Sequence, residues 1–262
     1  MELDGNLYKQ TAMVYDFDNR DIVKDDIPFY QQYVENTEGD ILELACGTGR
    51  ITLPLAENTQ KNIVALDLSQ QMLSCFQDKL EREYAHLNDK ITLIEGDISN
   101  FQLGKKFNTV LLPWRAFQYL TTPEQASDCL DCIVNHMTDS AIFIFDIFHP
   151  LSSYGSDWLG QEFTTYDVID PQTGNRIIRS TKNEFSDLEN QIIKYSSNYK
   201  IIDKQGNITN LQDTLTYKYY SYQQITALLT KHGLAISEQY GYYDKSPIET
   251  GKEFIFVCQL KK

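Results

Sequence analysis

The stretch that decides the fold is Asp40-Ile41-Leu42-Glu43-Leu44-Ala45-Cys46-Gly47-Thr48-Gly49-Arg50. Its apolar positions predict a short buried strand, and the small residues and glycines that follow predict a tight turn before a helix. A helix start offers unpaired backbone N–H groups and the positive end of the helix dipole, and Gly47 and Gly49 allow the backbone to approach a ligand closely. The stretch therefore predicts a strand, a turn and a helix start that together hold a ligand.

Glu43 makes this turn different from an ordinary dinucleotide-binding loop. At the end of the predicted strand its carboxylate would repel a pyrophosphate and attract a cation. The pattern Glu43-x-Ala45-Cys46-Gly47-x-Gly49 resembles the first motif of class I S-adenosylmethionine-dependent methyltransferases, although many members have glycine where this chain has Ala45. That cofactor carries an ammonium and a sulfonium group, so the charge of Glu43 agrees with the resemblance, which implies S-adenosyl-L-methionine as the cofactor.

Two further acids follow the next two predicted strands. Asp67 ends a strand at 62–66 and lies near the spacing of about 20 residues at which a carboxylate meets a ribose in nucleotide-binding βαβ units. Asp97 follows a strand at 91–95, and the resemblance assigns the adenine to Asp97 and Ile98. Acids at the ends of three successive strands agree with the rule that ligands of open α/β sheets bind at the carboxyl ends of the strands.

The resemblance also covers residues before and after these acids. The segment Met13-Val14-Tyr15-Asp16 is similar to a leader whose helix closes over the cofactor, so Tyr15 is expected either to contact the cofactor or to serve packing. Met72 falls on the apolar face of a helix predicted at 70–86, and it is expected in the core and beside the adenine. The resemblance implies a cofactor site made of Tyr15, Glu43, Ala45, Gly47, Gly49, Asp67, Leu68, Met72, Asp97, Ile98 and Leu112.

The rest of the sequence predicts further strands of the parallel sheet and one additional, antiparallel sheet. Strands at 109–112 and 141–145 continue the parallel series. From 151 to 220 the pattern changes to short alternating segments separated by polar turns, which predicts an antiparallel meander. After a helix at 222–232, the last two predicted strands are similar to the hairpin that closes a methyltransferase sheet; they lie at 234–240 and 253–260.

We therefore expect an α/β fold in which a Rossmann-like seven-stranded methyltransferase sheet carries an inserted small antiparallel β-sheet. The S-adenosylmethionine-binding domain is predicted to comprise residues 1–150 and 221–262. Residues 151–220 are predicted to form a substrate or lid subdomain above the carboxyl ends of the parallel strands, where they would wall the acceptor pocket.

Composition limits the classes of partner. The net charge of −14 opposes a nucleic-acid backbone, no run is long and apolar enough to cross a membrane, and the acidic start Met1–Gly5 lacks a signal-peptide core, so a cytoplasmic location is expected. The five cysteines fit reduced thiols, and the pair Cys129 and Cys132 in a predicted helix favours buried packing over metal or redox work. The oligomeric state stays open.

The loop after the fourth strand and the end of the fifth are the places for substrate chemistry. Leu112-Pro113-Trp114-Arg115 lacks the Pro-Pro-Tyr type of motif of DNA adenine methyltransferases, and Trp114 with Arg115 is either a substrate wall or a structural stack. His149 is the best titratable candidate for a general base, with a packed hinge residue beside Pro150 as the alternative.

The resemblance implies methyl transfer to the nitrogen or oxygen of a small-molecule acceptor. The resemblance is to small-molecule enzymes with a β-insert, a group that includes aminosugar N-methyltransferases and relatives of glycine N-methyltransferase. One alternative is a protein that binds S-adenosylmethionine without transferring its methyl group. A less favoured alternative is an NAD-dependent oxidoreductase, because Thr52 stands where the third glycine of G-x-G-x-x-G would fall.

Overall fold

A computed structural model of the chain describes residues 8–20, 22–150 and 154–262. The acidic start at Met1–Gly5 and the first residues of the predicted insert, 151–153, lie outside the described residues. The helices are α1 (Ile22–Glu35), α2 (Thr52–Glu57), α3 (Gln70–Glu83), α4 (Pro123–His136) and α5 (Tyr222–Lys231). The strands are β1 (Ile41–Leu44), β2 (Ile63–Asp67), β3 (Ile91–Glu95), β4 (Phe107–Leu112), β5 (Met137–Phe148), β6 (Glu162–Ile169), β7 (Arg176–Asp187), β8 (Ile192–Ile202), β9 (Ile208–Lys218), β10 (Leu234–Tyr240) and β11 (Glu253–Leu260).

The larger sheet has seven strands in the order β10-β11-β5-β4-β1-β2-β3. Strands β1 to β5 pair in parallel, while β11 runs antiparallel to β5 and β10 runs antiparallel to β11. All four residues of β1 and all five of β2 are buried, as expected for strands covered by helices on both faces. The predicted seven-stranded sheet with a C-terminal hairpin is confirmed.

The smaller sheet has four antiparallel strands in the order β6-β7-β8-β9. This is the antiparallel meander predicted from the alternating segments. Buried apolar residues on one face of this sheet pack with the N-terminal segment and with the loop after β4, among them Val14 with Tyr199 and Tyr119 with Tyr217. The smaller sheet therefore lies at the carboxyl ends of the parallel strands.

The helix starts follow the local sequence signals. Thr122 accepts from the backbone N–H of Gln125 while the Gln125 side chain accepts from the Thr122 N–H, so a capping box precedes α4. Ser69 caps α3 through the N–H of Met72. A helix predicted to reach His86 ends earlier, at Glu83, and a short 3-10 turn follows.

Strand β5 is longer than predicted. The apolar run predicted residues 141–145, whereas the strand extends from Met137 to Phe148. The extension at the carboxyl end pairs with β11, where Phe148 lies opposite Glu253 and Asp146 opposite Ile255. A local apolar pattern does not show pairing with a strand that is a hundred residues away in sequence, so the sequence underestimated this strand.

Among the described residues, no helix combines the length and the apolar character that a membrane span requires. The five cysteines are free thiols, and Cys129 is buried in the core cluster between α4 and the larger sheet. The expectation that Cys129 serves packing is confirmed.

Candidate functional site

A cavity of about 110 Å³, called the smaller cavity below, lies where β1, β2 and β3 end. The structure brings most of the residues predicted for the cofactor together around it. They are Tyr15, Glu43, Ala45, Gly47, Asp67, Leu68, Met72, Asp97 and Ile98. Gly49 and Leu112 are not among the lining residues, and Leu112 is fully buried in the core.

Glu43 is a buried carboxylate in this cavity, with 1% of its surface exposed. Burial raises its pKa to about 8, although the Thr52 hydroxyl that donates to it at 2.6 Å and the nearby Arg50 oppose that rise. Asp26 and Asp67 add negative charge near it and raise the pKa further. A cationic group placed in the cavity would favour the ionised carboxylate, so the site suits a ligand with positive charge.

Gly47 and Gly49 in the turn are glycines for different physical reasons. Gly47 has φ +57°, and apart from its chain neighbours no atom of the described residues lies within 4 Å of the position of a Cβ. Its N–H donates to Asp67 at 2.7 Å. Gly49 has φ +80°, and a Cβ there would lie 2.5 Å from the ring of Phe76. Gly47 therefore leaves open space beside the cavity, whereas Gly49 allows α3 to pack against the turn.

Asp67 and Asp97 are held by the backbone that follows each strand. Asp67 accepts from the N–H groups of Gly47 and Ser69, and burial raises its pKa while these hydrogen bonds oppose the rise. Asp97 accepts both the N–H and the hydroxyl of Ser99 on Oδ1, and its Oδ2 has no hydrogen bond among the described residues. Because a carboxylate has about four lone-pair sites, both acids keep acceptor capacity for a ligand.

Arg50 was not predicted as a site residue. It lines the smaller cavity, forms two hydrogen bonds with the buried Asp26 at 2.8 and 2.6 Å, and lies 4.6 Å from the centroid of the Trp114 ring. Its position directly after the glycine turn was the available signal. Its acidic partner on α1 could not be identified from local spacing.

Trp114 and Arg115 form an unusual turn after β4. Both residues have left-handed backbone angles, with φ of 59° and 63°. Their N–H groups donate to the two oxygens of Asp146 at 2.8 and 2.9 Å, and the Tyr30 hydroxyl donates to the same carboxylate at 2.7 Å. The Arg115 side chain pairs with the buried Glu253. Asp146, which is fully buried, thus fixes the turn that carries Trp114.

The role of Asp146 was not predicted from the sequence. An acid inside the apolar run of β5 was a signal, because a buried carboxylate without partners is strongly disfavoured. Burial raises the pKa of Asp146, while Tyr30, Arg115 and the Trp114 N–H oppose that shift.

A second cavity of about 260 Å³, the larger cavity, lies between the smaller sheet and the loop after β4. It shares Tyr8, Tyr15 and Trp114 with the smaller cavity, so the two adjoin. Strands β6 to β9 contribute most of its walls, through tyrosines, polar residues and one arginine. Trp114 is therefore a wall of both cavities, and Arg50 and Arg115 also lie over its ring, so the stack of the alternative is present as well.

His149 does not lie among the residues that line either cavity. Its ring packs on Phe254 with centroids 4.2 Å apart, and its ring Nδ1 lies 3.2 Å from the Gly251 carbonyl oxygen. Its backbone N–H donates to the Lys252 carbonyl. These contacts favour the alternative of a packed residue at the end of β5. The catalytic assignment of His149 stays a prediction that the geometry does not support.

The residues around the smaller cavity fit the group that the sequence implied. A nucleoside with a cationic tail needs hydrogen-bond acceptors for its sugar and base and a negative charge for its tail. Asp67, Asp97 and Glu43 supply these at three neighbouring strand ends, and Gly47 leaves open space between them.

Comparisons with known proteins agree with this site. Residues 41–139 match a family described as a methyltransferase domain. The chain is 22% identical over 200 residues, 75% of each chain, to the dTDP-3-amino-3,4,6-trideoxy-alpha-D-glucopyranose N,N-dimethyltransferase of Streptomyces venezuelae. Among solved structures, it is similar to an S-adenosylmethionine-dependent methyltransferase from Clostridium acetobutylicum, with a TM-score of 0.79, 23% identity and coverage of 98% of this chain and 100% of that one.

The CcbJ methyltransferase from Streptomyces caelestis has the same fold, with a TM-score of 0.78, 17% identity and full coverage of both chains. The matched domain begins with β1 and therefore contains Glu43, the glycine turn and the acids after β2 and β3. The domain match and the fold together show that the chain carries a methyltransferase domain and is an S-adenosylmethionine-dependent methyltransferase.

Proposed function

We propose that the chain transfers a methyl group from S-adenosylmethionine to the amino group of a small-molecule acceptor. The cofactor occupies the smaller cavity and the acceptor occupies the larger one. The observation that carries this proposal is that the two cavities adjoin at Tyr8, Tyr15 and Trp114, so that groups bound in each would meet there. Residues 151–220 then act as an inserted subdomain that walls the acceptor.

The cofactor site is proposed from the contacts described above. Asp67 would accept from the ribose hydroxyls, Asp97 and the backbone of Ile98 would bind the adenine, and Glu43 would face the ammonium group. The bound cofactor supplies an electrophilic methyl group. The protein's task is to align acceptor and methyl group and to exclude water, and the aromatic walls at the junction of the cavities serve both purposes.

Nitrogen is proposed as the acceptor atom because the Streptomyces venezuelae relative is named as an N,N-dimethyltransferase. A hydroxyl acceptor is the second possibility. The larger cavity, of about 260 Å³, is lined by several tyrosines and suits a small molecule. Because the protein also carries a charge of −14, neither DNA nor RNA is expected as a substrate. Free thiols in all five cysteines favour a reducing compartment, and we propose the cytoplasm.

Labelled methyl donor tests this proposal directly. The protein would be incubated with separate pools of tRNA, DNA, protein and dialysable metabolites from the source cell, with S-adenosylhomocysteine in excess as the inhibited control. We expect label in the metabolite pool, and mass spectrometry of the product would locate the methyl group on nitrogen or oxygen. Label entering a macromolecular pool ahead of the metabolites would overturn the proposal.

The raised pKa of Glu43 predicts a pH-dependent affinity for the cofactor product. With a pKa of about 8 in the free protein, most of Glu43 is protonated at pH 6, and binding of a cation releases that proton. The affinity for S-adenosylhomocysteine should therefore rise at least about tenfold between pH 6 and pH 7.5. Calorimetry in buffers of different ionisation enthalpy would count the released proton.

Glu43→Gln should lose this pH dependence, while Glu57→Gln, at an exposed acid on α2, should keep it. The same slope of affinity with pH in Glu43→Gln and in the wild type would show that Glu43 does not face the bound cation.

A further inference from the structure

The larger cavity differs in charge from the rest of this acidic protein. Among the described residues, its lining contains Arg20, Arg115 and Arg179 and one acid, Asp18. Two of these arginines are already paired, Arg20 with Asp18 and Arg115 with Glu253. Arg179 is therefore the residue whose charge is left to explain.

Arg179 has only neutral hydrogen-bond partners among the described residues. Its Nε donates to the Ser197 hydroxyl at 2.9 Å and its Nη1 to the Thr165 hydroxyl at 3.2 Å, while no carboxylate lies within ion-pair distance. Each of the other five arginines pairs with an acid: Arg20 with Asp18, Arg50 with Asp26, Arg82 with Asp78, Arg115 with Glu253 and Arg176 with Asp167. A half-buried guanidinium with a hydrogen-bonding edge left over is suited to an anion.

The strand pattern directs Arg179 into the cavity. Arg179, Thr181 and Asn183 alternate along β7 and all line the larger cavity, so they share one face of the sheet. Arg176 lies three residues away on the other face and is exposed. On the neighbouring strand β8, Tyr195 is two residues, or about 7 Å, from Ser197, the partner of Arg179.

A chain of tyrosine hydroxyls gives a second, independent observation. Tyr8 bonds to Tyr119 at 2.5 Å, Tyr119 to Tyr217 at 2.7 Å, and Tyr195 donates to Tyr217 at 3.0 Å. Burial raises the pKa of Tyr8, Tyr119 and Tyr217, so these hydroxyls keep their protons at neutral pH.

One hydrogen in the chain of four tyrosine hydroxyls has no acceptor among the described residues. Each phenol has one hydrogen to donate, and three hydrogen bonds among four hydroxyls use three of the four. No other acceptor for the fourth is seen in the part of the chain that the structure describes. Since Tyr8, Tyr195 and Tyr217 line the larger cavity and Tyr8 and Tyr119 line the smaller, one O–H is available to a bound ligand.

A spare O–H donor and an arginine without an acidic partner both suit a ligand that accepts hydrogen bonds, and the arginine also favours negative charge. We propose that the acceptor carries an oxyanion, a carboxylate or a phosphate ester, which binds Arg179 and the tyrosine chain while its nucleophile points to the junction of the cavities. This inference rests on the proposed function, because it takes the larger cavity as the acceptor site.

Three probes with the same primary amine and different second groups would test this proposal: phosphoethanolamine, β-alanine and ethanolamine. Calorimetric titration of the protein saturated with S-adenosylhomocysteine would measure their affinities. We expect the wild type to bind at least one anionic probe about tenfold or more tightly than ethanolamine. A preference for phosphoethanolamine would assign a phosphate ester, and a preference for β-alanine would assign a carboxylate.

The variants assign that preference to one residue. Arg179→Gln should reduce it to about twofold or less, Arg179→Lys should keep part of it, and Arg176→Gln on the opposite face should keep all of it. Ethanolamine binding as tightly as both anionic probes, or an undiminished preference in Arg179→Gln, would overturn the inference. Binding of S-adenosylhomocysteine should be the same in the wild type and in all three variants. A wild type that does not bind S-adenosylhomocysteine would reject the proposed function rather than this inference.

Discussion

Asp146→Ala should lower the free energy of unfolding by about 3–5 kcal/mol, because each buried donor that is left without its acceptor costs about 1–3 kcal/mol. The change leaves the N–H groups of Trp114 and Arg115 and the hydroxyl of Tyr30 without their acceptor. Relaxation of the two left-handed residues, each of which costs on the order of 1–2 kcal/mol, would offset part of that loss. Urea denaturation of the purified variant measures the loss.

Asp146→Asn provides a milder test if the alanine variant does not fold. Asparagine keeps one acceptor oxygen but directs an NH₂ group at a backbone donor, so the expected loss is smaller but still well above that of a surface change. Asp139→Ala is the matched control, because Asp139 is exposed on the same strand and should stay within about 0.5 kcal/mol of the wild type.

The same variants connect stability to the site. Because Trp114 is a wall of both cavities, Asp146→Asn should reduce methyl transfer more than its effect on stability explains at a temperature where the variant is folded. An Asp146→Ala protein that is no less stable than Asp139→Ala would show that the carboxylate does not hold the turn.

The sequence predicted the parts of the site that depend on strand ends. Glu43, Asp67 and Asp97 each follow a short apolar run, and parallel strands place their carboxyl ends at one edge of a sheet. Local pattern and global rule therefore agree, and the structure brings all three acids to one cavity. The meander was equally readable, because its alternating segments and polar turns are local signals.

Features that join distant segments were not readable in this way. The tyrosine chain combines residues from the N-terminal segment, the loop after β4 and two strands of the smaller sheet. The pair of Arg50 with Asp26 and the contacts of Asp146 also depend on which elements become neighbours. No spacing rule covers such contacts, and only the acid inside β5 gave a warning.

Gly49 shows how a correct motif can carry an incomplete reason. The motif contains two glycines, and the sequence suggested that both allow close approach of a ligand. In the structure a Cβ at Gly49 would collide with Phe76, while only Gly47 has open space around it. Packing of a helix against the turn explains the second glycine without a ligand.

Asp67→Ala tests most directly whether the smaller cavity binds the cofactor. Loss of charge-assisted hydrogen bonds to the ribose should weaken binding by about 1.5–3 kcal/mol, or roughly 10-fold to 150-fold. Asp67 also holds Gly47 and Ser69, so Asp67→Asn, which keeps one acceptor oxygen, is needed beside it. Asp89→Ala is the control, because Asp89 is an exposed acid just before β3, at the amino ends of the parallel strands and away from the cavity.

The measurement is calorimetric titration of S-adenosylhomocysteine into the wild type and these three variants, with thermal unfolding recorded for each. We expect tight binding by the wild type and Asp89→Ala, weaker binding by Asp67→Asn and the weakest by Asp67→Ala, all in folded proteins. Wild-type affinity in a folded Asp67→Ala, or no binding by the wild type, would contradict this expectation.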